Sequence, residues 1–474
     1  MGPRVWIFRR GFNKLLYSDR RSKAVPPAID ATMMHTIETE SLTAFAARQQ
    51  QAFECATTPA RRKRAGHFGT PAAIAEFMAR LPSRMPLGTV RILDPGAGVG
   101  TLSAAVCQRV QSLPGRRNLE IDVWENDEHL APFLRRTLEQ CRATLEAHGH
   151  QVAYTIHRRD FILDNASGAK SLFDGVGGKS GYDVAIMNPP YFKLRKDSDH
   201  ARAMPGVVHG QPNMYALFMA VGCELLRDGG DLVAITPRSY FNGPYFRRFR
   251  RWFFDRMTAR QIHVFESRTE AFQEASVLQE NVVLWARKGA VDSDVIVTTS
   301  AGRDLTLGVE SRTLPYAAVI DPSSGDRTVR VSANRMDEAI VALVDAFPLR
   351  FRDLGLKIST GPVVTFRATE HLLHERTSGE SSAPLLMMHN IRPFATVFPK
   401  KPNGKPRHFR VCEASRPLLL PAKRYVLLKR FSAKEERRRL VAGVFEHGDS
   451  YSSSVALENH LNYVYKASGC TGSA

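Results

Sequence analysis

The stretch Asn188-Pro189-Pro190-Tyr191 stops a buried strand at a fixed point, and the rest of the chain must be arranged around that stop. The run before it, Val184-Ala185-Ile186-Met187, is continuously apolar and reads as a parallel strand covered on both faces. Two consecutive prolines lack N–H donors and cannot extend a sheet ladder, so the strand ends at Asn188. The Asn188 side chain is then presented at the carboxyl end of a strand, where open α/β sheets hold their ligands. An amide acceptor, a proline-fixed carbonyl and an aromatic ring can together hold a planar exocyclic amine. The plainer alternative is a proline-rich turn after a core strand.

Acidic residues recur at the ends of other strand-like runs. Val90-Arg91-Ile92-Leu93 leads into Asp94-Pro95-Gly96-Ala97-Gly98-Val99-Gly100, and residues 101–110 follow as a helix. Three glycines at a strand-to-helix turn let backbone approach a ligand closely. The spacing is not that of the dinucleotide fingerprint, and Asp94 would repel a pyrophosphate; it suits a ligand with an ammonium group. A second strand, Ile121-Asp122-Val123-Trp124, delivers Glu125, placed to accept both hydroxyls of a ribose, with Asp127 as a substitute. A third, near Tyr154-Thr155-Ile156, ends at Asp160-Phe161, an acid and a ring suited to an adenine amino group and edge. A cap or turn role is the alternative for Asp160.

Further apolar runs at 231–236, 261–265 and 281–286 bring the count to seven strands alternating mainly with helices, which indicates a doubly wound α/β sheet. Ahead of the first strand, Thr70-Pro71 reads as an N-cap with proline at the first helical position, followed by a helix over 72–81. Such a helix end can receive an anion such as a carboxylate. Residues 246–253 form an amphipathic helix whose arginines read as a solvated face over an aromatic stripe, with phosphate contact as the alternative. Phe272, on the loop before the last strand, could stack on an extruded base or pack in the core.

The chain has 474 residues, too many for one core, and a formal net charge of +19 that favours a polyanionic partner, most simply nucleic acid. No apolar run is long enough to span a bilayer. Cys55, Cys107, Cys141, Cys223, Cys412 and Cys470 include no C-x-x-C pair, so they read as reduced thiols and not as a zinc site or disulfide frame. Residues 1–23 are basic without a signal-peptide pattern. After Lys288 the composition turns to short β-like runs and basic loops. Asn403-Gly404 suggests a hairpin with a basic tip carrying Lys400, Lys401, Lys405 and Arg407, and Lys429 and Arg430 lie in a second basic run. Such a module fits docking on DNA, where phosphate contacts set register.

The capped helix, glycine turn, ribose acid, Asp-Phe pair and Asn-Pro-Pro-Tyr, in this order, resemble the gamma-class adenine-N6 DNA methyltransferases of bacterial restriction–modification systems. The resemblance covers roughly residues 60 to 290. Residues 358–364 and 426–436 are similar to the C-terminal region of the PstI/BsuBI-like branch of that family. The resemblance implies a Rossmann-like seven-stranded S-adenosylmethionine-dependent domain over 36–290 and a mixed α+β target-recognition domain over 291–474, behind a disordered basic extension over 1–35. It implies a soluble, cytoplasmic enzyme acting on double-stranded DNA, using no metal and accompanied by a separately encoded restriction endonuclease. By similarity, Thr70, Gly96, Gly98 and Gly100 hold the methionine part of the cofactor and Asp94 its ammonium. Glu125 takes the ribose, and Asp160 with Phe161 the adenine. Asn188, Pro189, Pro190 and Tyr191 are the catalytic motif, Tyr191 and Phe272 stack on the target base, and Lys400, Lys401, Lys405, Arg407, Lys429 and Arg430 contact DNA. Two departures stand out: His67, where relatives often carry Gln or Tyr, and an unrelated tail over 467–474, from which an incomplete recognition domain is expected. The rival readings are an RNA or protein-glutamine N-methyltransferase and a DNA-binding relative with an impaired core.

Overall fold

The structure, a computed structural model, describes residues 40–466 except 66–68, 83–84, 167–180, 209, 211–212, 266–280, 291–293, 301–304, 306–308, 322–324, 333–334, 352, 376–380, 400–403, 433–437 and 447–452. The basic extension over 1–35, His67, Phe272, Lys400, Lys401 and the tail over 467–474 lie outside the described residues. Two compact units divide the chain, Met1–Ala333 and Asn334–Ala474, so the first extends well past the change in composition at Lys288.

The first unit opens with helices α1 (Leu42–Ala56), α2 (Pro59–Ala65) and α3 (Ala72–Arg80). Ser41 caps α1 by accepting from the Ala44 N–H at 3.1 Å. The basic run Arg61-Arg62-Lys63-Arg64 lies within α2. Next come β1 (Gly88–Pro95), α4 (Thr101–Gln111), β2 (Arg117–Trp124), α5 (Ala131–Ala147), β3 (Gln151–His157), α6 (Phe161–Asn165) and β4 (Tyr182–Met187). After them follow α7 (Asp199–Ala203), α8 (Met214–Leu225), β5 (Leu226–Pro237), α9 (Arg247–Phe254), β6 (Met257–Phe265), β7 (Asn281–Lys288), β8 (Val295–Ser300), β9 (Glu310–Leu314) and α10 (Tyr316–Val319).

These strands form one sheet in the order β3-β2-β1-β4-β5-β7-β6-β8-β9. Strands β1 to β5 pair in parallel, and β7 runs antiparallel to both β5 and β6. The seven strands read from the sequence are present in a doubly wound α/β arrangement. Two more, β8 and β9, extend the edge from residues that the composition had grouped with the C-terminal region. Order reverses between β1 and β4, which opens a crevice at their carboxyl ends.

Strand geometry distributes the core between the two faces. Along β4, Val184 and Ile186 join the cluster containing α1, α3, α4 and α5, while Ala185 and Met187 join the cluster containing α8 and α9. Strand β5 repeats the alternation, with Val233 and Ile235 on one side and Leu232 and Ala234 on the other. A strand apolar at every position is thus covered on both sides, and its end is fixed by packing on each.

Helix α9 corrects the solvated-face reading for one of its arginines. Arg250 is 1% exposed, and its guanidinium donates to the carbonyls of Asp326 (2.8 Å), Tyr240 (3.0 Å) and Gly243 (2.7 Å). The side chain ties three loop carbonyls to the helix, a role no local pattern announces.

In the second unit, helix α11 (Arg335–Asp345) precedes a six-stranded and a five-stranded sheet. The turn expected at Asn403-Gly404 includes residues outside the described ones, and the described strands on either side of it do not pair with each other. Phe394–Thr396 pairs within the six-stranded sheet, whereas His408–Arg410 pairs with Leu372–Leu373 and Ser382–Leu386 in the other. Distant partners override a turn preference that extends over only two residues.

Replacing Arg250 by Met leaves three carbonyls short of a donor, and an unsatisfied buried acceptor costs roughly 1–3 kcal/mol. Arg250→Met is expected to lower stability by about 2–4 kcal/mol, read as a lower urea midpoint at unchanged slope.

Candidate active site

A cavity of about 350 Å³ lies at the carboxyl ends of β1, β2 and β4, in the first unit. Its floor is the glycine turn after β1. Gly96, Gly98 and Gly100 all take left-handed backbone, with φ of 71°, 58° and 87°, which only glycine adopts without strain. The turn hangs on its neighbour: the N–H groups of Gly96 and Ala97 both donate to the Trp124 carbonyl, at 2.8 and 3.1 Å. Gly96 and Gly98 line the cavity, while Gly100 sits at the start of α4, against Leu134 and Thr137.

Glu125 follows β2 and lines the cavity at 8% exposure. Its carboxylate accepts from the N–H of Gly98 (3.0 Å) and of Asp127 (2.8 Å), so it is oriented before any ligand arrives. Burial pushes its pKa up to about 7, the two backbone donors pull it down, and the Asp127 charge adds to the rise. Asp127, the substitute ribose acid, is gripped instead by Arg61 of α2, with both carboxylate oxygens 3.0 Å from one guanidinium nitrogen.

Asp94 is fully buried and does not line the cavity. One carboxylate oxygen accepts from the Ser103 hydroxyl (2.7 Å) and N–H (3.1 Å), and the other has no hydrogen-bond partner. Burial pushes its pKa up to about 6 against those two donors. Asp160 and Phe161 border the cavity on another side. Asp160 caps α6 by accepting from the Leu163 N–H at 3.0 Å, and its second oxygen lies 2.9 Å from His200 Nε2. Cap and cavity wall are therefore the same residue.

Asn188 and Pro190 complete the lining on the β4 side; Pro189 and Tyr191 do not reach it. The Asn188 amide nitrogen donates to the Thr70 hydroxyl at 3.0 Å, and its amide oxygen accepts from the Tyr191 hydroxyl at 2.7 Å. The Tyr191 hydroxyl also lies 3.0 Å from the Ile235 carbonyl, and its ring packs against both core clusters. Burial pushes its phenol pKa up. Thr70 lines the cavity but is not an N-cap: α3 begins at Ala72, and Pro71 holds the cap position with extended backbone (ψ 141°). The residue before a proline is pushed towards extended geometry, which keeps Thr70 outside the helix and frees its hydroxyl for Asn188.

Several lining residues were not read from the sequence. Phe192, 42% exposed, is the aromatic side chain that borders the cavity beside Asn188 and Pro190. Its place next to the motif could have pointed to it. Trp124 lines the wall above Glu125, stacked on His157 at 4.0 Å, and Phe218, Met214 and His200 close the far side. Gln50 and Phe53 enter from α1, which no local signal announces. Among the described residues, no group of three His, Cys, Asp or Glu could hold a metal ion, and no helix is long and apolar enough to cross a membrane. In the second unit, Arg407 reaches the His374 carbonyl (3.1 Å) and Glu375, and Arg430 reaches the Asn459 carbonyl (3.2 Å), while Lys405 is exposed.

Comparison with known proteins decides the family. Residues 127–272 match the family described as Eco57I restriction-modification methylase. The Type II methyltransferase M.BsuBI of Bacillus subtilis is 34% identical over 412 residues, 85% of this chain and 79% of the relative. The chain belongs to the Type II methyltransferases of restriction–modification systems. M.PstI of Providencia stuartii is similar at 32% identity, over 85% of this chain and 78% of that protein. A solved structure of a putative class I S-adenosylmethionine-dependent methyltransferase from Listeria monocytogenes is 17% identical, with a TM-score of 0.41 over 56% of this chain and 76% of that one. In this Type II methyltransferase the family match starts just past Glu125 and contains Asp160 and the whole Asn188–Tyr191 motif.

Asp94 and Glu125 titrate higher when folded than as free carboxyls, near 6 and 7. Their contribution to stability is therefore complete below about pH 4 and is lost as pH rises through those values. Glu125→Gln, neutral throughout, is expected to lose less thermal stability than the parent between pH 5 and 8. Melting curves of the two unliganded proteins across that range check it.

Proposed function

We propose that the cavity binds S-adenosylmethionine and that Asn188-Pro189-Pro190-Tyr191 holds the N6 amine of an adenine turned out of double-stranded DNA. Enzymes of this family modify DNA within restriction–modification systems; the adenine, the donor and the extrusion of the base are our reading. The observation that carries it is that one cavity is lined both by the glycine turn with Glu125 and by Asn188.

The residues fit the cofactor. Glu125, which lines the cavity, is a pre-oriented acceptor for paired hydroxyls; Asp94, expected at the ammonium group, is buried outside the lining and is held by Ser103. The turn at Gly96, Gly98 and Gly100, with the backbone at Gly69 and Thr70, borders the methionine part. Asp160 and Phe161, beside Trp124, flank the adenine. When bound, this group supplies an electrophilic methyl on a sulfonium.

The chain's own residues prepare the acceptor. The lone pair of an exocyclic adenine amine is delocalised into the ring and is a poor nucleophile. Hydrogen bonds from its N–H groups to the Asn188 amide oxygen and the Pro189 carbonyl draw the nitrogen towards tetrahedral geometry and turn the lone pair to the methyl. The N–C bond forms as the S–C bond breaks, and one amine proton leaves to solvent. Fixing this line of attack accounts for much of the rate. A base leaves the stack at a cost of a few kcal/mol, and aromatic faces recover part of it. Phe272 serves there, whereas Tyr191, expected beside it, has its ring packed against the core and its hydroxyl bonded to Asn188. The second unit, with Lys400, Lys401, Lys405, Arg407, Lys429 and Arg430, acts as the DNA-recognition domain. A separately encoded endonuclease and a cytoplasmic location complete the reading.

Labelled S-adenosylmethionine offered in parallel to unmodified genomic DNA, RNA and protein should mark DNA alone, as N6-methyldeoxyadenosine after digestion and mass spectrometry. Label in RNA or protein, or on cytosine, would sink this assignment. Asn188→Ala should lower transfer roughly a hundredfold or more, with cofactor affinity retained in calorimetry.

A further inference from the structure

We infer that Phe192, and not the motif ring Tyr191, presents the aromatic face on which the extruded adenine stacks; the inference rests on the reading of Asn188 given above. A base drawn out of a duplex gives up its stacking neighbours. The site recovers part of that loss by offering a flat apolar surface within reach of the groups that hold the amine. Such a surface costs least when it already faces the cavity and is fixed in place. Phe192 meets both conditions, and Tyr191 meets only the second.

Tyr191 is held at both ends. Its hydroxyl reaches the Asn188 amide oxygen at 2.7 Å and the Ile235 carbonyl at 3.0 Å. Its ring packs against both core clusters and meets Tyr215 edge to face, with ring centres 6.3 Å apart. It does not line the cavity. Turning it there gives up the hydroxyl contacts and leaves a void between the clusters, costs that a stack with one base must first offset. The next residue goes the other way. Phe192 lines the cavity with Asn188 and Pro190, and 42% of it is exposed.

Bonds on either side fix the Phe192 backbone. Its carbonyl accepts from the Met214 N–H at 3.0 Å, and Lys193 pairs with Asn213. Met214 starts α8 and lines the same cavity, so the ring is carried between the motif and a helix of the core. On the donor side, Trp124 and Phe161 flank the cofactor's adenine in the reading above. That leaves Phe192, four residues beyond Asn188, for the base that Asn188 holds. A base has two faces, and this one is additional to the face given to Phe272. A phenyl ring makes no hydrogen bond to a base edge, so selection of the amine stays with Asn188 and Pro189.

The test compares Phe192→Leu, which keeps apolar bulk and removes the flat face, with Phe192→Tyr, which keeps the ring. Tritiated S-adenosylmethionine and unmodified genomic DNA give kcat/KM for DNA, and calorimetry without DNA gives cofactor affinity. Losing one base–aromatic stack is expected to lower kcat/KM roughly tenfold in Phe192→Leu, with Phe192→Tyr close to the parent. Unchanged kcat/KM in Phe192→Leu overturns the proposal, and so does equal impairment of Phe192→Tyr. A fall in cofactor affinity as large as the fall in kcat/KM also overturns it, because the ring then lies on the donor. If Phe192→Leu does not fold, Phe192→Met carries the same comparison. Transfer by Asn188→Ala at the parent rate would instead show that the underlying reading of the motif has failed.

Discussion

The reversal of strand order between β1 and β4 is the constraint from which the site follows. On one side of it the chain crosses over to build β2 and β3, and on the other it builds β5, β7 and β6. Connections leave the two central strands in opposite directions, which opens a crevice beyond their carboxyl ends. Into that gap the glycine turn projects from β1 and the Asn-Pro-Pro-Tyr segment from β4. Each is short and cannot wander: the turn is held by two bonds to the Trp124 carbonyl, and Asn188 by Thr70 and Tyr191. A methyl donor and its acceptor must meet within a bond length. In the proposed reading, two strand ends braced by packing on both sheet faces provide that precision.

The two buried acids are a second consequence of the crevice. Asp94 and Glu125 sit where little water reaches, and both are held above the ordinary carboxylate range by burial. Such groups are costly to ionise where they stand, and Glu125, which lines the cavity, is the one of the two that a hydroxyl donor in the cavity can reach. Glu125 is tuned by the same turn that forms the floor, since the Gly98 N–H is one of its donors. Floor and acid are therefore one unit, and a change in either disturbs both.

Much of this was legible in the residues. Continuous apolar runs separated the buried strands, prolines fixed the end of β4, and glycines at a strand-to-helix turn fixed the floor. These are local signals with a period or a backbone rule behind them, and they led to the seven central strands and to the cavity lining at Gly96, Gly98, Glu125, Asp160, Phe161, Asn188 and Pro190. The misreadings share a cause. Thr-Pro usually starts a helix, which points to Thr70 as a cap, and arginines usually face water, which points to Arg250 as a surface residue. Asn403-Gly404 favours a tight turn, yet the described strands that flank it belong to different sheets. In each, a partner far along the chain prevailed: Asn188 for Thr70, the Asp326 carbonyl for Arg250, and two different sheets for the flanks of Asn403-Gly404.

The sequence alone determined where strands stop and which chemical groups stand at their ends, because backbone rules for proline and glycine and the two-residue period of a strand act over a few positions. Only the tertiary structure decided what those groups touch. It brought α1 and Thr70 to the cavity, turned the Tyr191 ring into the core and left Phe192 at the surface beside Asn188, and added β8 and β9 to the sheet edge. Contacts of that kind join positions up to 118 residues apart, and close packing selects them with no trace in any short window of the chain.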